Sequence, residues 1–508
     1  MAELYSAKRI GKNTLLLYLR MVIILVVNFY TTRVLLEYLG VEDYGLYNVL
    51  MGVITMFSFI SASMTAATQR FISFELGTKD YNKLKKVFSA SLYIYLVLII
   101  ISVILFETIG LWYVTNYLNI PTVRYLAAHA VYQFVVLQYI VLTLRIPYNA
   151  AVIAHERMDF FAYMSVLEAV LSLLLIYVLA VLDSDKLVLY AAFLFASRLL
   201  VSFGYYLYCK RNFLECSLIH YKRIGKTIIK EIWSFSGWNI FGSFAVAVNG
   251  QGINLMINFF SGVIVNASVG IATQLTNALY GVVSNLQTSF NPQLVKLYAA
   301  KEFDTFFKLL NRNCKICCIL FLFISMPLCI LIKEVLDLWL GKECLYAVEI
   351  CRCLLIYQTL ESLAYPLTIG IQAVGVIKTY QKISALIFIS ILPIGYIIYM
   401  VELSPIYIYI AEVGLNVLIF IARMVHLKNV SSFSPISFFR DVVLRIIFVI
   451  TLSLPLPLFL ASSIDNSIFR LLAVSIVSTI SIAVTALFFG FTTNERKLLY
   501  KLIYKFKF

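Results

Sequence analysis

The stretch Val87–Ile109, VFSASLYIYLVLIIISVILFETI, decides the class of this chain. Its only charge, Glu107, lies near the far end, and Lys83, Lys85 and Lys86 stand just before it. An α-helix rises about 1.5 Å per residue, so roughly 20 apolar residues cover the roughly 30 Å of hydrocarbon in a bilayer. Working outward, stretches of similar length recur at Asn13–Leu36, Gly45–Ala67, Leu126–Ile146, Phe160–Leu182, Leu187–Cys209, Ser236–Phe260 and Ile264–Ser289. They continue at Cys314–Leu336, Leu345–Gln372, Gln381–Val401, Ile406–Leu427, Val442–Ser462 and Ser467–Gly490. With 62% hydrophobic residues among 508, the chain reads as an all-α integral membrane protein of about 14 transmembrane helices, and an ordinary soluble enzyme is excluded.

The cations set the expected topology, because Lys and Arg in short loops are retained on the cytoplasmic side. They gather before the first span and in alternate gaps: Arg70–Lys86, Arg145 and Arg157, Lys210–Lys230, Lys296–Lys315, Lys378 and Lys382, Arg423–Arg445, and the tail from Arg496. By this count 32 of 41 cations fall on one side, which places both termini of this multi-pass membrane protein in the cytoplasm. The net charge of +15 then belongs to loops facing anionic headgroups, worth about 1 kcal/mol per cation near the surface. No soluble basic domain exists to bind nucleic acid. The first stretch is too long for a signal-peptide h-region and lacks a small-residue cleavage site, so it is expected to remain as an anchor.

Catalytic and metal signals are weak. Cys314 and Cys317 make a formal C-x-x-C with no second pair and no nearby histidine, and His129, His155, His220 and His426 are scattered. Gly225-Lys226-Thr227 mimics the end of a phosphate loop, yet His220 stands where its first glycine belongs. The chain is therefore expected to be no enzyme, to need no cofactor or metal, and to draw any transport energy from a gradient such as H+ or Na+.

An internal repeat carries more weight than any single motif. Gly40-Val41 returns as Gly262-Val263, and Gly77-Thr78-Lys79-Asp80-Tyr81-Asn82 as Ala299-Ala300-Lys301-Glu302-Phe303-Asp304, 222 residues later. Six spans separate the copies, so both halves have the same orientation, a layout typical of transporters with two rocking bundles. Two six-helix lobes are expected at residues 1–209 and 236–427, joined by a basic linker at 210–235, with two further helices and a tail at 428–508. A central cavity is expected with them.

Polar faces mark candidate cavity residues. Gln251, Asn254 and Asn258 share one helical face of the seventh span, and Asn277, Ser284 and Thr288 one face of the eighth. Amides facing lipid would lack partners at a cost of several kcal/mol, so these stripes face protein or water. Charges inside spans are the other candidates: Arg20, the possible structural or coupling pair Glu168 and Arg198, then Arg352, Glu361 and Glu412. Arg20 has no local partner, and a guanidinium in a cavity grips phosphate through paired hydrogen bonds.

Arg33–Tyr47, RVLLEYLGVEDYGLY, Gln69–Asp80, QRFISFELGTKD, and Phe290–Asp304, FNPQLVKLYAAKEFD, resemble the polysaccharide and O-antigen flippases within the multidrug/oligosaccharidyl-lipid/polysaccharide exporter superfamily. The resemblance extends to the fourteen-span, two-lobe layout over nearly the whole chain. It implies translocation of an undecaprenyl-pyrophosphate-linked oligosaccharide, an O-antigen or capsule repeat unit, by alternating access. It also implies membrane lipids and a polysaccharide polymerase with chain-length machinery as partners, and a phosphate-binding role for Arg20. The first span has no acidic residue in its core, where drug exporters of the same superfamily often carry one. A cation-coupled multidrug exporter is the alternative.

Overall fold

The computed structural model describes residues 2–55, 58–117, 120, 122–179, 182, 184–217, 224–340, 346–493 and 495–497. These residues form helices throughout and no strand. Such a fold suits a chain immersed in hydrocarbon, because each helix satisfies its own backbone groups. The first helices are α1 (Ala2–Thr55), α2 (Ser58–Thr78), α3 (Tyr81–Leu105), α4 (Leu111–Tyr117), α5 (Tyr125–Ala154), α6 (Met158–Leu179) and α7 (Lys186–Asn212). There follow α8 (Lys226–Ala299), α9 (Phe303–Leu340), α10 (Ala347–Val374), α11 (Lys378–Ile389), α12 (Ile391–Met400) and α13 (Ile406–Val430). The last are α14 (Pro435–Phe438), α15 (Leu444–Ser453), α16 (Pro455–Ser463) and α17 (Ser467–Thr485).

Among the described residues, 10 helices are long and apolar enough to cross a membrane. The other four expected spans, the first, second, eighth and tenth, also fall on helices: α1, α1 with α2, α8 and α10. Residues 56–57 and 345 of these spans lie outside the described set. The eighth and tenth fall short because they are polar, the tenth carrying Glu349, Arg352 and Glu361. In the first, the described side chains form an apolar helical run at Asn13–Asn28.

The 222-residue repeat is written into the backbone. Gly40 has φ 78° and ψ 170°, and Gly262 has φ 79° and ψ −179°. This region is open essentially to glycine alone, and in each case it breaks a long helix in two. Lys79 and Lys301 then adopt left-handed φ of 60° and 61°. At the second of these ends, Glu302 N–H bonds the Leu297 carbonyl at 3.0 Å and Lys301 N–H the Tyr298 carbonyl at 3.0 Å, so the last carbonyls of α8 are satisfied by a Schellman-type cap. A third correspondence was not read from the sequence: Pro147 in α5 and Pro366 in α10 each precede a positive-φ residue, Glu156 and Gly375, by nine positions.

The chain divides into two compact units, Lys12–Ile240 and Phe241 onward together with the residues up to Gly11. The boundary lies inside α8, and residues 226–235 of the expected linker are the first turns of that helix. In the first unit Phe235 stacks edge-on against Phe71 at 5.4 Å, which ties the start of α8 to α2. Its apolar core joins Leu50, Phe106, Val114, Tyr132, Val135, Leu187 and Leu194, from α1, the π turn after α3, α4, α5 and α7. The second unit packs Ile253, Val269, Ile332, Ile350, Leu354 and Ile408 into a core of its own. Its last helices are fastened to α9 by ion pairs: Glu334 with Arg470 of α17 at 2.8 Å, and the buried Lys315 with Glu495 at 2.5 Å. Lys315, counted in the sequence among loop cations, is thus an interior residue of α9.

Candidate functional site

The first unit contains two adjoining cavities, of about 320 and 340 Å³. Arg145, Asn149 and Arg198 line both. Around the first stand Arg20 of α1, Glu168 of α6 and Tyr205 of α7; around the second stand Ser61 and Thr65 of α2 with Gln138 and Thr143 of α5. Three of the charges anticipated from sequence, Arg20, Glu168 and Arg198, therefore meet in one chamber. Three guanidiniums against one carboxylate leave it with a surplus of two positive charges.

Each charge has a different environment. The Arg20 guanidinium lies over the Phe161 ring, 4.4 Å from its centroid, and its Nε has no acceptor. No carboxylate bonds it among the described residues. Glu168 and Arg198, read from the sequence as a structural or a coupling pair, do not bond one another: Glu168 accepts from Arg145 Nη1 at 2.6 Å. Arg198 Nη1 donates instead to Gln138 Oε1. Arg145 had been counted with the loop cations; α5 continues to Ala154, so the guanidinium sits inside the helix and reaches across to α6. The signal was available in Arg145 and Asn149, four residues apart on one helical face before an apolar AAVIA run. The Ser165 and Ser172 hydroxyls donate to the Phe161 and Glu168 carbonyls, each at 2.8 Å, while Asn149 Oδ1 is buried with no donor among the described residues.

The remaining candidates lie in the second unit. Arg352 is exposed and donates from Nε to the Cys329 carbonyl at 3.1 Å. Glu361 is held by Arg423 through two hydrogen bonds of 2.8 Å, and Arg423 Nε donates to the Tyr380 hydroxyl at 3.1 Å. Arg423, another supposed loop cation, is only 3% exposed. Glu412 forms no ion pair among the described residues. Gln251, Asn258, Asn277 and Ser284 are exposed, Asn254 and Thr288 partly so. Ser284 and Thr288 turn their hydroxyls back to helix carbonyls at 3.1 and 2.9 Å; the four amides make no hydrogen bond with the described residues. Among those residues no three His, Cys, Asp or Glu side chains gather closely enough to hold a metal.

The sequence profile of the MatE family matches residues 17–178, the segment that carries Arg20, Arg145 and Glu168. No curated protein sequence matches the chain. Several solved structures do. A MOP superfamily transporter from Pyrococcus furiosus, whose structure is described as having a binding pocket of reverse polarity that suggests a different function, is 15% identical with a TM-score of 0.66, covering 82% of this chain and 95% of that one. A MATE structure in a bent conformation is 15% identical with a TM-score of 0.70, covering 84% and 96%. A Vibrio cholerae MATE transporter variant is 12% identical with a TM-score of 0.65, covering 84% and 97%. Over residues 17–178 the chain thus bears the MatE pattern, and along most of its length it has the fold of the solved MATE transporters.

Proposed function

We propose that this protein is a transporter that flips an undecaprenyl-pyrophosphate-linked oligosaccharide across a bacterial inner membrane by alternating access. The observation that carries this reading is the charge surplus of the first-unit chamber, where Arg20 and Arg198 form no ion pair among the described residues. Two uncancelled guanidiniums suit the pyrophosphate of a lipid carrier, which they grip by bidentate hydrogen bonds. The exposed amides Gln251, Asn258 and Asn277 offer donors and acceptors to sugar hydroxyls, while the polyprenyl tail stays in lipid, because each methylene moved into water costs about 0.8 kcal/mol.

Export of lipophilic cations is the competing reading, suggested by a solved relative described as a multidrug resistance MATE family transporter. It fits less well: the chamber's carboxylate, Glu168, is already engaged by Arg145, and the surplus charge repels cations. Ion coupling, on our reading, falls to Glu412, since Glu168 and Glu361 are both bound by arginines.

Proteoliposomes loaded with a lipid-linked oligosaccharide test the proposal. The protein is expected to expose the glycan to an impermeant oxidant, and an H+ or Na+ gradient to accelerate this in wild type but not in Glu412→Gln. Transport of lipophilic cations without glycan exposure would replace the flippase reading with the exporter. In cells, a C-terminal fluorescent fusion is expected to fluoresce, as the proposed cytoplasmic terminus requires, and loss of the gene to halt polymer assembly by its polymerase and chain-length partners.

A further inference from the structure

The chamber's surplus depends on one neutral side chain. Gln138 lies on α5, 1% exposed, with its amide held at both ends. Its Nε2 donates to the Ala191 carbonyl of α7 at 3.0 Å, which turns Oε1 toward Arg198, whose Nη1 donates to it. The amide orientation is therefore fixed by a partner that accepts only, and a carboxylate at this position has no proton to offer Ala191.

The second unit shows the alternative arrangement on its own corresponding helices. There the arginine of the twelfth span, Arg423, meets a carboxylate of the tenth, Glu361, and two hydrogen bonds of 2.8 Å join them. Arg423 is positioned and neutralised together. Arg198 is positioned by an acceptor that leaves its full charge in place. A guanidinium has five donors in a rigid fork, so one bond to Gln138 orients it and leaves others for a ligand in the cavity that it lines.

We propose that Gln138 is a positioning residue that aims Arg198 at the substrate pyrophosphate while keeping the chamber cationic, and so sets its preference for anionic lipid carriers. This rests on the flippase reading above. Gln138→Glu is expected to pair with Arg198 and cut the surplus from two charges to one. Releasing Arg145 by Glu168→Gln is expected to restore it.

The test is binding of undecaprenyl pyrophosphate, with undecaprenol as the neutral control, to purified protein in nanodiscs at low and high salt. Gln138→Glu is expected to weaken binding by about tenfold or more, the scale of one charge-assisted hydrogen bond, and to flatten its salt dependence. The double variant Gln138→Glu/Glu168→Gln is expected to recover most of the wild-type affinity, and undecaprenol binding to change in neither. A Gln138→Glu protein that binds like wild type, or a double variant that folds but stays weak, overturns the role of Gln138 while the flippase reading stands. A wild type that does not prefer the pyrophosphate overturns both.

Discussion

Arg20→Ala is expected to abolish glycan exposure in proteoliposomes and polymer display in cells, with the protein inserted at near-normal abundance. The guanidinium is stacked on Phe161 and forms no ion pair among the described residues, so its removal strands no carboxylate. Losing a partly exposed cation–π contact costs about 0.5–1 kcal/mol of stability, too little to unfold a helical bundle. For the ligand the loss is larger. Hydrogen bonds from a charged donor to phosphate contribute about 1.5–3 kcal/mol, and the chamber's surplus drops to one charge. Arg20→Lys is expected to fall between, because an ammonium keeps the charge but cannot form the paired fork. Normal display by Arg20→Ala would remove this residue, and the phosphate site with it, from the mechanism.

The second large effect concerns stability. Glu361→Ala is expected to lower unfolding stability by about 3–5 kcal/mol, the usual cost of stranding one member of a buried ion pair. Arg423 is 3% exposed, and the partner that remains to it is the Tyr380 hydroxyl at 3.1 Å, not a carboxylate. Thermal unfolding in detergent measures the change. The double variant Glu361→Leu/Arg423→Met removes both charges and is expected to stand much nearer wild type, because an apolar pair of similar volume often replaces a buried salt bridge without loss. Equal damage in the single and double variants would show that the site matters for packing rather than charge.

Span positions follow from local hydropathy, and the repeat from a handful of matched letters; both were legible because they depend on residues close together in the chain. The partners of the interior charges were not. Arg145, Lys315 and Arg423 were counted among loop cations, yet all three lie within helices and bind Glu168, Glu495 and Glu361. All three lie near the ends of spans read from the sequence, Leu126–Ile146, Cys314–Leu336 and Ile406–Leu427, where hydropathy does not tell an interior cation from one in the adjoining loop. The choice of Arg145 over Arg198 by Glu168 depends on helix rotation and on which faces of α5, α6 and α7 meet, which the order of residues does not state. Gln138 escaped notice for a related reason: an isolated amide in an apolar run gives no hint that two neighbours fix it.

The twin breaks at Gly40 and Gly262 also draw a map for anyone who needs a sturdier preparation of this protein. Swapping glycine for alanine inside an ordinary helix restricts the unfolded chain and adds about 0.4–1 kcal/mol of stability. In α8, a methyl group at Gly270 or Gly281 would meet no atom within 4 Å, so both are good places to begin. The same swap at Gly262, in that very helix, would force a chiral residue into a conformation that it resists, and thermostabilising libraries should leave that codon alone.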